Sequence, residues 1–111
     1  MKRRNVSIVR GESTNWTGVL RDSDGTPVDL TSLTLTWKAG DKDFRRTEIE
    51  LSEGNGITIV DAALGKWRIN LQKNNTEELS NGLFVHQGFA ISGETNLLFT
   101  FGRLELRGDI R

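Results

Sequence analysis

Two stretches of this chain alternate strictly between apolar and polar residues, and that pattern constrains the fold more than any other feature. Leu33, Leu35 and Trp37 alternate with Thr34, Thr36 and Lys38; Trp67, Ile69 and Leu71 alternate with Lys66, Arg68 and Asn70. Successive side chains of an extended backbone point to opposite faces, so a period of two marks a strand with one buried side. Glycine-bearing turns punctuate the chain around such runs. Asp22-Ser23-Asp24-Gly25 is the clearest, because aspartate bonds nearby backbone and glycine tolerates positive φ. Asp22-x-Asp24-Gly25 also resembles the opening of a calcium loop, but Thr26-Pro27-Val28 follows where further oxygen ligands are needed, so a plain turn is the better reading.

The remaining segments fit the same grammar. Val6–Arg10, Asn15–Arg21, Phe44–Leu51, Ile57–Val60, Leu83–Ile91 and Leu97–Arg107 read as strands, and Pro27–Leu30 as extended. Thr76-Glu77-Glu78-Leu79 reads as one helical turn capped by Asn75 or Thr76. The last strand changes phase: Phe99 and Phe101 share one face, Leu104 and Leu106 the other. A bulge at Gly102 would bring both pairs inward. The expected fold is all-β: an antiparallel β-sandwich, jelly-roll-like or immunoglobulin-like, of about eight strands with at most one short helical turn. Residues 1–5 form a basic arm with no apolar face, and residues 6–111 a single domain. Leu33, Leu35, Trp37, Trp67, Ile69 and Leu71 are the predicted core.

Composition narrows the chemistry. Fifteen basic and fifteen acidic residues cancel, so no global field draws in nucleic acid or an anionic membrane surface. No apolar run approaches the ~20 residues of a membrane span, and no apolar stretch follows Met-Lys-Arg-Arg as in an export signal. With no cysteine and one histidine, disulfides and zinc sites are not expected, and no cofactor is. His86 lies within a strand, where a histidine without catalytic work is the better reading. Phosphate-loop and nucleophile-elbow motifs are missing from the sequence. The expectation is therefore a non-enzymatic protein. Lys2, Arg3, Arg4 and Arg10 are the candidate partner-binding residues, since arginine pairs with carboxylates on a protein surface. Trp16, Trp37 and Trp67 fall on apolar faces and read as core; exposed side by side, they would instead suit a sugar-binding platform.

The order and spacing of several segments resemble a known group. Ile8-Val9-Arg10-Gly11-Glu12, then Trp16 through Thr31, Gly56-Ile57-Thr58-Ile59, Leu64 through Leu71, and Phe101 through Ile110 look like small phage virion proteins with an immunoglobulin-like or jelly-roll-like sandwich. Leu83–Ile91 departs from the pattern: relatives tend to have tyrosines and an aspartate where this chain has Phe84, His86 and Gln87, which leaves the facing of that strand open. Within the group, the chain looks most like the capsid staple (decoration) proteins of epsilon-fifteen-type short-tailed phages. That resemblance implies a virion protein assembled in the host cytoplasm. It would bind the outside of the major capsid protein shell and clamp neighbouring subunits, as a homodimer or higher assembly. A tail, neck or baseplate component is the alternative, and a carbohydrate-binding module the more remote one.

Overall fold

The computed structural model describes residues 3–9, 11–41, 46–77, 79, 82–93 and 95–108. Among them are eight strands: β1 (Val6–Val9), β2 (Thr14–Val19), β3 (Thr34–Gly40), β4 (Thr47–Glu53), β5 (Gly56–Asp61), β6 (Lys66–Leu71), β7 (Gly82–Ser92) and β8 (Thr95–Arg107). A single helical turn, α1 (Lys73–Thr76), separates β6 from β7. The fold is all-β, as the alternation requires. All eight strands join one ladder in the order β1-β8-β7-β3-β4-β5-β6-β2.

The ladder nearly closes on itself because it turns a corner. Strands β4 and β5 share only two pairs, Ser52↔Gly56 and Glu53↔Ile57. Beyond that corner β5, β6 and β2 fold over the other five strands. Trp16 of β2 then packs edge-on against Trp37 of β3, and Trp67 of β6 against Phe99 of β8. The two layers carry the strand order of an immunoglobulin-like sandwich: β8-β7-β3-β4 correspond to strands G, F, C and C′, and β2-β6-β5 to B, E and D. The sheet is mixed rather than wholly antiparallel. Strand β1 runs parallel to β8, Val6↔Leu104 through Val9↔Arg107, and the β4–β5 corner is also parallel. Alternation reports which side chains are buried but not the direction of a neighbouring strand, so these two parallel pairings were not legible from it.

Leu35, Trp37, Trp67, Ile69 and Leu71 are buried as expected, while Leu33, one residue ahead of β3, is half-buried. The β8 bulge falls at Phe99 instead of Gly102. Gly88 pairs with Thr100 and Phe89 with Leu98, leaving Phe99 as the extra residue. Phe99 and Thr100 are consecutive and both buried; thereafter Leu104 and Leu106 face inward and Phe101 faces out, half-buried. Gly102 has another task. Arg4 lies beside it, and a Cβ at that position would overlap the Arg4 carbonyl oxygen. The helical turn comes earlier than predicted, at Lys73–Thr76, because the Asn75 side chain accepts a hydrogen bond from the Gln72 backbone N–H at 2.7 Å and fixes the turn's start there. The buried Thr76 hydroxyl accepts from the Gly11 N–H at 3.0 Å.

Trp67 fills the space left by the absent side chain of Gly18 and meets Phe99 at a centroid distance of 4.9 Å. Replacing it by alanine removes the contact that ties β6 to β8 across the sandwich. Trp67→Ala is expected to lose about 3–5 kcal/mol of stability, read as a shifted denaturant midpoint; an unchanged midpoint would contradict this core assignment.

Candidate interaction surface

His86 sits on β7 between Gln87, which is exposed, and Val85, and is itself 1% exposed. The facing of this strand is thereby settled: His86, Gly88 and Ala90 point inward. Trp37 Nε1–H donates to His86 Nδ1 at 3.1 Å, and His86 Nε2 lies 2.7 Å from the Arg4 carbonyl oxygen. Only one tautomer satisfies both contacts: Nδ1 accepts, Nε2–H donates, and the ring is neutral. Burial holds its pKa below the usual value of 6.5; the bond to Arg4 opposes this, and the Arg4 charge adds to it. Trp16 closes the cluster, with its ring centroid 6.0 Å from the imidazole. Both imidazole nitrogens are committed to structural partners, neither of them a carboxylate or hydroxyl.

The same histidine anchors the N-terminal arm. The Arg4 backbone N–H donates to the Phe101 carbonyl at 2.8 Å, and the Arg103 N–H donates to Asn5 Oδ1 at 3.1 Å. Residues 3–5 therefore lie along β8 and are held by the chain's own sheet, with no outside surface needed to order them. The guanidinium of Arg3 lies 5.8 Å from the Phe101 ring centroid. Lys2 and Arg10 lie outside the described residues. Arg3 and Arg4 also border a cleft of about 570 Å³, whose walls include Arg21, Asp22, Trp67 and Phe99. With the Arg3 guanidinium over Phe101, Arg4 and Arg21 against Asp22 leave its mouth net cationic. Arg21 was not among the sequence candidates; it is brought there by the predicted turn, where its Nη1 donates to the Gly25 carbonyl at 2.9 Å. Asp22 accepts from the Asp24 and Thr26 N–H groups, which uses its Oδ1 in the turn and not on a cation. Among the described residues no group of three His, Cys, Asp or Glu side chains is placed to hold a metal ion.

All three tryptophans are buried, at 6%, 0% and 3% exposure for Trp16, Trp37 and Trp67, so none offers a face to a sugar. Exposed apolar surface lies elsewhere. The outer face of β7 and β8 carries Leu83 and Ile91, which are exposed, and Val85, Phe89, Leu98 and Phe101, which are half-buried. The sequence held a signal for this face: β7 is apolar at both parities, Phe84 and Ala90 on one side, Val85, Phe89 and Ile91 on the other. A strand with a solvated outer side does not need the second set.

No family profile and no curated protein matches the sequence. Solved structures do match the fold. The N-terminal domain of phage TP901-1 ORF48 is similar over 94% of this chain and 85% of that one, with a TM-score of 0.62 and 12% identity. The NK cell receptor Nkp44, described as a triggering partner in natural cytotoxicity, aligns over 98% of this chain and 100% of that one at 12% identity; its TM-score of 0.49 is too low to add to the comparison. At such identities the likeness is one of fold.

The neutral state of His86 sets a pH dependence. Above about 6.5 the ring is neutral in both the folded and unfolded chain. Below that value the unfolded chain takes up a proton that the folded protein resists, so stability falls as pH drops toward the lowered folded pKa. The loss is at most about 1.4 kcal/mol per pH unit in that window. Asp29 and Glu105, whose carboxyls are held below 3.8 and 4.5 by hydrogen bonds from Thr31 and from Arg107, titrate lower still and leave the window clear. Urea midpoints measured from pH 7.5 to 5.5 should fall for the native chain and stay flatter for His86→Leu. Parallel profiles would rule out this role for His86.

Proposed function

We propose that the chain is a non-enzymatic structural protein of a phage particle, bound to the outside of the major capsid shell and clamping neighbouring subunits. One observation carries the phage assignment: the fold follows that of the N-terminal domain of phage TP901-1 ORF48 over 94% of the chain. The resemblance of the sequence segments to capsid staple proteins supports the capsid as partner. Two features of the structure agree with a binding role. The only histidine has both nitrogens engaged within the core. The cleft bordered by Arg4 and Arg21, with Arg3 beside it over Phe101, offers guanidinium groups suited to carboxylates on a protein surface. Exposed ion pairs are individually weak, so repeated copies on a symmetric shell, bridging several subunits, would supply the strength.

Cosedimentation with purified empty heads and with isolated tails of the encoding phage tests this. The protein should pellet with heads, less so as salt rises, and Arg4→Glu should weaken binding at low salt roughly tenfold. Pelleting with tails alone would replace the capsid by a tail, neck or baseplate partner. Pelleting with neither would overturn the proposal.

A further inference from the structure

The ladder ends at β1 on one side and at β2 on the other. In an immunoglobulin-like sandwich the first strand lies beside the strand corresponding to β2. Here β1 lies beside β8 instead, and residues 3–5 follow β8 as well. Among the described residues no strand pairs with the outer edge of β2. The Leu20 N–H donates to the Gly65 carbonyl at 2.9 Å, just past the last β2–β6 pair, and this sets the phase of the ladder. Trp16 and Gly18 turn their backbone groups toward β6; Asn15, Thr17 and Val19 turn theirs away. Among the described residues no hydrogen bond reaches those outward N–H and C=O groups. Proteins blunt such an edge with lysine, proline, a bulge or a very short strand. None of these protects β2, whose six residues are uncharged and in unbroken register with β6. At the opposite end β1 is only four residues long.

We infer that β2 takes an extended segment of a partner protein as an added antiparallel strand, with an apolar side chain in the cleft and a carboxylate against Arg21 and Arg4. The cleft borders this edge: its lining joins Gly18 and Val19 of β2 to Arg4 of the arm and to Trp67 and Phe99 of the two layers. Outward backbone groups pair with another peptide backbone, which selects a protein partner, and alternate side chains then set the choice of segment. Gly18 contributes no side chain, and the Trp67 ring occupies the space a Cβ would take. The inward residue of an added strand therefore meets an aromatic wall beside Gly18. The charge at the cleft favours an acidic segment, because Asp22 spends its Oδ1 on the Asp24 and Thr26 N–H groups while Arg4 and Arg21 remain at the mouth. Arg21 follows the carboxyl end of β2, so an antiparallel strand brings its amino end there, and the acidic residues belong at that end. This inference deepens the function proposed above by naming the kind of segment the capsid would offer, and it rests on that reading only for the identity of the partner.

The probe is a synthetic peptide of about eight residues that begins with two glutamates and then alternates valine with threonine. Amide hydrogen exchange of the purified chain is read by NMR with and without it. In the chain alone the Thr17 and Val19 amides should exchange fast. The peptide should bind with a Kd of about 1 mM or tighter, and at saturation should slow both amides roughly tenfold or more. Replacing its glutamates by glutamine, or Arg21→Glu in the protein, should weaken binding roughly tenfold at low salt. Thr17→Pro removes an outward N–H and leaves the bonds to β6 in place, so it should abolish binding with an unchanged urea midpoint. If that variant is destabilised, the Arg21→Glu and glutamine comparisons decide. Amides of Thr17 and Val19 that are already protected in the chain alone would mean that the chain itself or a second copy covers the edge, and would overturn the inference. So would peptide binding that leaves both amides exchanging as before, or no binding at all. Heads that pellet Thr17→Pro as they do the native chain would overturn strand addition and leave the capsid reading standing. Peptide binding as expected, with no pelleting on heads, supports strand addition and fails only the capsid reading.

Discussion

The structure depends on one cluster at the centre of its core: Trp37 of β3, Trp16 of β2 and His86 of β7, joined by the Trp37 Nε1–His86 Nδ1 hydrogen bond. In antibody domains the strands corresponding to β2 and β7 are linked by a disulfide, with a tryptophan of the strand corresponding to β3 packed against it. This chain has no cysteine and spans the same three strands with two indoles and an imidazole. The substitution replaces a covalent link by ring packing and one buried hydrogen bond, so the two layers are held by volume and shape. Trp16 and Trp67 bury their indole N–H groups without an acceptor among the described residues. That costs stability, and their place in the core therefore rests on the rings.

The imidazole reaches beyond the layers it joins. Its second nitrogen holds the Arg4 carbonyl, and Gly102 lets the arm come close enough to be held. Residues 3–5, which carry two arginines, are thus tied to the sheet through the Arg4 backbone and the Asn5 side chain, not through the guanidinium groups. Arg3 is carried to the outer face over Phe101, Arg4 to the cleft mouth. The core cluster in this way positions the described charges of the arm, Arg3 and Arg4.

The sequence announced the fold through residues whose burial is periodic. Leu35, Trp37, Trp67, Ile69 and Leu71 lie where alternation puts them, and the Asp22–Gly25 turn forms through the aspartate bonds its composition implies. What was not legible has a common cause: it depends on partners distant in sequence. The bulge at Phe99 meets the Trp67 ring from the opposite layer, and Gly102 admits the passage of Arg4, beside the bond from the Arg103 N–H to Asn5 Oδ1 that spans 98 residues of sequence. Of the candidate binding residues, Arg3 and Arg4 could be read from charge. Arg21 joins them only through folding, and the apolar face of β7 and β8 emerges only once strand register shows which side chains share it.

The central claim is that the single histidine is a neutral structural pin between the sandwich and its arm. Its nitrogen-15 resonances report this directly, because protonated and unprotonated ring nitrogens differ widely in chemical shift. A protonated Nε2 and an unprotonated, hydrogen-bond-accepting Nδ1 are expected at pH 7, persisting as the pH falls below 6.5 while the protein remains folded. A ring that exchanges between tautomers and titrates near 6.5 like a free imidazole would contradict it.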